Sequence, residues 1–134
     1  MNTANWIRPL FWLAAAYDGI LGAIFLASPS WVFTQFNVAP PNHFAYVQFP
    51  AALLIIFAVI FATIARDPVG NRSQIVYGIL LKVAYCSIAG YYWLTSDIPI
   101  IWKPFVWADL VMGVLFVIAY VSLNTGSRST LVRA

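Results

Sequence analysis

The sequence predicts an all-α fold: a four-helix transmembrane bundle with both termini on the cytoplasmic side. Three observations predict it. First, 63% of the 134 residues are hydrophobic and 8% charged, with a mean hydropathy of +0.85. Soluble domains carry about 25% charged residues, so this chain cannot cover a water-facing surface in the usual way. Second, its apolar residues gather into four stretches, each long enough as a helix to cross a hydrocarbon core of about 30 Å. Third, Arg8, Arg66, Arg72, Arg128 and Arg133 flank those stretches on one side and only Lys103 flanks them on the other, which places the arginine side inside.

The first helix is expected over 8–27, ended by Ser28-Pro29. Its apolar run is too long for a secretory signal, Asp18 interrupts it, and Phe25 stands where a cleavage site needs a small residue, so it reads as uncleaved. The connection 28–43 is too short for a domain. Its Trp31, Phe33 and Phe36 suit a short interfacial helix or reentrant loop. Pro40-Pro41-Asn42 precedes the second helix, 44–65, with Asn42 as its N-cap. Pro50 lies inside that helix, where it cannot donate to the Tyr46 carbonyl and should kink the chain beside Gln48. A polar turn, Arg66-Asp67-Pro68-Val69-Gly70-Asn71, leads into the third helix, 74–94. Ser96-Asp97-Ile98-Pro99 closes it, and Pro104 suits the first turn of the fourth helix, 104–123. The remainder, 124–134, reads as a short, polar, mobile tail on a single integral membrane domain.

Composition also excludes functions. The basic residues are scattered singly, so no stripe follows a phosphate backbone and no nucleic-acid partner is expected. A lone cysteine, Cys86, allows no internal disulfide or CxxC pair, and a lone histidine, His43, allows no bis-histidine haem. No cofactor and no metal site is expected. Cys86 reads as a small apolar residue and His43 as an outer-loop surface residue.

The informative residues are Asp18, Lys82 and Asp109, each inside an apolar stretch. A charge at the centre of a spanning helix costs roughly 2.5–3.5 kcal/mol on insertion scales, so such residues pair with one another or mark a site. At a rise of about 1.5 Å per residue, Asp18 lies about 15 Å and Lys82 roughly 13 Å from the inner edge, which predicts a buried Asp18–Lys82 ion pair. Asp109 lies roughly 8 Å below the outer start of its helix, with no cation at its own depth except Lys103 nearer the surface. Gln48 and the Tyr46 carbonyl share that outer depth and would form a polar vestibule with Asp109. Tyr85 and Cys86 share the Lys82 face, while Tyr17 is expected to point elsewhere. Asp18, Gln48, Lys82, Tyr85 and Asp109 are therefore the candidate ligand-binding residues, and Asp109, Asp18 and Lys82 the candidates for catalysis. Glycines stand one turn from each charge, at Gly22, Gly78 and Gly113, and Ala15, Gly19 and Ala23 form a small-residue stripe. They allow either close backbone approach or room for a ligand. Trp6, Trp12, Trp31, Trp93 and Trp102 are assigned to interfacial belts.

Tyr17-Asp18 with Gly22, Pro29, Phe33, Phe36, Pro40-Pro41, Gln48, Ala65-Arg66-Asp67-Pro68, Gly78-Ile79-Leu80-Leu81-Lys82 and Asp109-Leu110 together resemble small bacterial four-helix membrane proteins loosely grouped as DoxX-like. The resemblance implies a four-helix bundle in which Asp18, Gln48, Lys82 and Asp109 belong together. It supplies no reaction. Proteins of the DoxX type are linked to redox partners, but the lone Cys86 and His43 offer no redox residues to match.

The expected function is a multi-pass protein of the inner (plasma) membrane, in contact with the lipid bilayer. It would bind a small or lipophilic ligand, or a membrane-protein partner, around the Asp/Lys/Asp cluster. Two alternatives stand beside it. One is a small membrane enzyme using Asp109 or Asp18 as general acid or base, with Lys82 stabilising negative charge. The other is a homo-oligomeric proton or ion pathway.

Overall fold

The structure is a computed structural model that describes residues 4–132. It contains α1 (Ala4–Ala27), α2 (Pro29–Gln35), α3 (Ala45–Arg66), α4 (Ile75–Thr95) and α5 (Lys103–Val132), with single 3₁₀ turns at Arg72–Gln74 and Ile100–Trp102. No strand occurs among the described residues. The helices α1, α3, α4 and α5 are long and apolar enough to cross a membrane. Their outward faces carry exposed Ile20, Phe49, Ile56, Leu80 and Val111. That arrangement suits lipid rather than water as the surrounding medium, and it marks a multi-pass membrane protein.

The helix limits follow from local chemistry. Pro29 opens α2, where its missing N–H costs nothing. The cap expected at Asn42 is supplied instead by His43, whose Nδ1 accepts the Ala45 N–H at 3.1 Å. An imidazole nitrogen held two residues before a helical N–H satisfies one of the orphan donors that a capping side chain would otherwise take. At the far end of α3, Asp67 Oδ1 accepts the Gly70 N–H at 3.0 Å, and the Asn71 amide donates to the Thr63 and Asp67 carbonyls. These bonds close the polar turn into α4. Helix α1 begins before Arg8 and contains Pro9. Helix α5 runs on through the polar stretch to Val132 instead of ending near Leu123. No proline stops it there, and the Thr125 hydroxyl donates to the Ser122 carbonyl at 3.0 Å. Arg133 lies outside the described residues.

The bundle is two helix pairs. Helix α1 packs along α3, helix α4 packs along α5, and contact between the pairs is sparser. The α1–α3 seam is close because glycines line it. A Cβ on Gly22 would lie 2.7 Å from the Ala51 carbonyl oxygen, and one on Gly19 would lie 3.3 Å from the Ala58 Cβ. The glycine stripe therefore serves backbone approach. At the end holding the Asp67–Asn71 turn, Ile7, Phe11, Phe61, Ile64, Ile75 and Phe116 form a fully buried core, with Phe11 stacked on Phe116 at 4.6 Å. Arg72 ties this end to α5 by a 2.9 Å hydrogen bond to Asn124 and by lying over the Tyr120 ring. At the opposite end is α2, a short helix, one of the two forms expected for this connection. Its own Val32 and Phe33 are buried, and Trp31 and Phe36, which follows the helix, are exposed.

Candidate functional site

Between these two apolar ends sit the ionisable residues. Asp18 on α1, Lys82 on α4 and Asp109 on α5 meet in one cluster. Lys82 Nζ donates to Asp18 Oδ1 at 3.1 Å, Asp18 Oδ2 at 3.2 Å and Asp109 Oδ1 at 3.0 Å. Asp18 and Lys82 are each 1% exposed and Asp109 7%. The expected Asp18–Lys82 pair is present. The expectation that Asp109 stands higher without a partner is corrected, because it shares the same ammonium. Counting residues along a helix gives the height of a Cα only, whereas a lysine ammonium rides on a flexible four-carbon stem. That stem passes over Gly113, whose missing side chain makes the room: a Cβ there would lie 3.2 Å from the Lys82 Cβ.

The cluster is electrostatically uneven. Two carboxylates face one ammonium, and all three ammonium donors are committed. Removing one member of a buried pair costs about 3–5 kcal/mol, because the partner is left uncompensated. Asp18 is engaged through both oxygens. Lys82 reaches Asp109 through Oδ1 alone.

Tyr17 also belongs here, against the expectation that it points elsewhere. Its ring centroid lies 5.2 Å from Lys82 Nζ and 6.2 Å from that of Phe105. Its hydroxyl is buried, with the Asp109 carboxyl beside it as its hydrogen-bond partner. Asp109 is the charged group that acts on it most strongly. Consecutive helical residues do diverge by about 100°. At the junction of the two helix pairs, however, both directions border the same space.

That space is a cavity of about 350 Å³ running from the cluster toward the α2 end, with Asp18, Tyr17 and Asp109 at its polar end. Its walls are Leu21 and Phe25 of α1, Val47, Ala51 and Leu54 of α3, Leu81 of α4, and Trp102 and Phe105 from the start of the α5 hairpin arm. Three further lining residues, Tyr46, Pro50 and Leu53, are exposed and lie on α3. The cavity thus opens sideways along that helix. Its size falls at the lower end of small-molecule sites, roughly 300–1,000 Å³.

The remaining candidates take supporting places. Gln48 does not join Asp109: its amide donates to the Leu26 carbonyl at 3.0 Å and holds the end of α1 against α3. Pro50 and Tyr46 do line the cavity, but its wall is apolar and it opens sideways, so the expected outward-facing polar vestibule of Asp109, Gln48 and the Tyr46 carbonyl is replaced by an apolar one. Tyr85 lines the cavity while its hydroxyl donates to the Trp102 carbonyl at 3.1 Å. The half-buried Cys86 donates weakly to the Val106 carbonyl at 3.5 Å. Trp102, assigned from sequence to an interfacial belt, turns inward through the Ile100–Trp102 turn and stacks on Phe25 at 5.6 Å. An inward and an interfacial tryptophan look alike in sequence, and only the turn geometry separates them.

Compared with protein-family models, with curated proteins and with solved structures, the chain matches none.

Proposed function

We propose that this protein is a multi-pass protein of the inner (plasma) membrane that binds a small lipophilic molecule between its two helix pairs, with the Asp18–Lys82–Asp109 cluster reading the ligand's polar end. One observation carries the proposal: an apolar cavity with aliphatic and aromatic walls terminates on a buried charged cluster in which Lys82 engages only one oxygen of Asp109. Ligand sites commonly combine apolar walls with a few convergent polar groups. The sideways opening along α3 supports entry from the lipid phase. Placement of both termini in the cytoplasm belongs to the same proposal, supported by Arg8, Arg66 and Arg72 at one end of the bundle. So does kinship with DoxX-like proteins.

A second reading, a small membrane enzyme, is favoured by one feature. Asp109 lines the cavity, and its carboxyl would take or give a proton on a bound lipophilic substrate. The ion pathway is disfavoured, because Phe11, Phe61 and Phe116 fill the bundle between the cluster and the turn end. Native mass spectrometry of the gently solubilised protein tests the binding proposal. Wild type is expected to carry a small molecule that Val47→Trp, which fills the cavity, does not retain. A wild-type protein bare of any small molecule, under conditions that preserve other lipid contacts, would count against it.

A further inference from the structure

We infer that the polar end of the ligand is a protonated amine, so that the cavity takes a lipophilic ammonium compound. This rests on the lipophilic-ligand reading above and adds the chemistry of the head group.

The first ground is charge balance. With both carboxyls ionised, Asp18 and Asp109 would carry two negative charges against the single positive charge of Lys82, and all three residues are buried. The other described basic side chains lie at the ends of the helices, and Lys103 is engaged by Asp97 at 2.8 Å. A cationic head supplies the missing charge, whereas a neutral head leaves the imbalance and an anionic head worsens it. The second ground is hydrogen-bond geometry. Lys82 engages Asp109 through Oδ1 alone, and the buried Tyr17 hydroxyl has that same carboxylate beside it as its hydrogen-bond partner. Asp109 and Tyr17 both line the cavity. An ammonium group has only donors; the Asp109 carboxylate can accept one, and the Tyr17 oxygen can accept another while its own O–H points to Asp109. The third ground is the wall. Tyr17, Phe25, Trp102 and Phe105 gather around the polar end and its approach. Aromatic faces attract a cation and accept an alkyl chain equally well.

The test uses the full chain in nanodiscs of zwitterionic phosphatidylcholine, with empty nanodiscs as background, and compares radiolabelled decylamine, 1-decanol and decanoate at neutral pH. Saturable decylamine binding is expected, at least tenfold tighter than that of decanol, with decanoate weaker still. Asp109→Asn should erase the amine's advantage over the alcohol, and Tyr17→Phe should reduce it several-fold. Should Asp109→Asn fail to fold, Tyr17→Phe decides alone, since it removes one hydroxyl and no charge. An unchanged amine preference in Tyr17→Phe would then overturn the inference. Decanol or decanoate binding as tightly as decylamine would also overturn it, while leaving the lipophilic-ligand reading in place. Absence of saturable binding by all three probes would remove both.

Discussion

Gly113 lies one helical turn from Asp109 on α5, and a Cβ placed on it would sit 3.2 Å from the Cβ of Lys82. The charged cluster therefore depends on a residue that carries no charge. Lys82 reaches both carboxylates because its stem crosses α5 where α5 has no side chain. A graded substitution series follows from this. Gly113→Ala asks the Lys82 stem to yield by a few tenths of an ångström and should change stability by no more than about 1 kcal/mol. Gly113→Leu displaces the stem, breaks the contact with Asp109, and should cost about 3 kcal/mol or more. Unfolding by increasing mole fraction of SDS in mixed micelles measures both.

Charge balance within the cluster predicts a non-additive set. Lys82→Met leaves two carboxylates facing each other in an apolar interior, a loss of about 3–5 kcal/mol at neutral pH. Combining it with Asp18→Asn and Asp109→Asn removes the stranded charges and should recover more than half of that loss. If the triple variant proved less stable than Lys82→Met alone, the cluster's cost would not be electrostatic.

The α1–α3 seam offers a matched pair of glycine tests. A Cβ at Gly22 would lie 2.7 Å from the Ala51 carbonyl oxygen, a backbone atom that cannot swing away, whereas nothing lies within 4 Å of a Cβ at Gly90. Gly22→Ala should destabilise by about 1–3 kcal/mol through forced separation of the helices. Gly90→Ala should stay within about 0.5 kcal/mol of wild type. The same SDS titration compares them, and equal effects would argue against a tight seam.

A pH-dependent contact is expected at the loop between α4 and α5. Asp97 takes a 2.8 Å contact from Lys103 and a 2.9 Å hydrogen bond from the Ile98 N–H. The Lys103 hydrogen bond first, and the Ile98 N–H second, hold its carboxyl below its ordinary value of 3.8. A carboxylate depressed in the folded state adds its interaction above its unfolded value, and that contribution is lost as pH falls through the folded value. An NMR titration of the Asp97 carboxyl should therefore show a midpoint below 3.8 that rises in Lys103→Met. Lys103 also lies over the Trp93 ring at 5.4 Å, so Trp93 fluorescence should respond over the same acidic range.

Much of this was legible in one dimension. Four apolar runs of membrane-crossing length, punctuated by Ser28-Pro29, Pro40-Pro41, Asp67-Pro68 and Pro99, dictated four long helices and their order. The rarity of charge within those runs singled out Asp18, Lys82 and Asp109, because burying a charge is costly enough to leave few exceptions. Equal depth along two helices that run in the same direction was enough to pair Asp18 with Lys82. Gln48 and Asp109 were misplaced for a common reason: residue number reports height along a helix axis and says nothing of which neighbour a side chain faces. Gln48 turns to the Leu26 carbonyl, and Asp109 turns to Lys82.

The sequence by itself determined the class of the protein, its helices, and which residues could not be passive. Those properties follow from local energetics, in which each apolar run and each buried charge has a definite cost in lipid. Tertiary structure alone decided that the three charges share one ammonium, that Tyr17 and Trp102 face the same space, and that an apolar cavity ends on the cluster. These outcomes depend on the rotation of each helix about its axis and on the gap between two helix pairs. Packing of side chains from distant parts of the chain sets both.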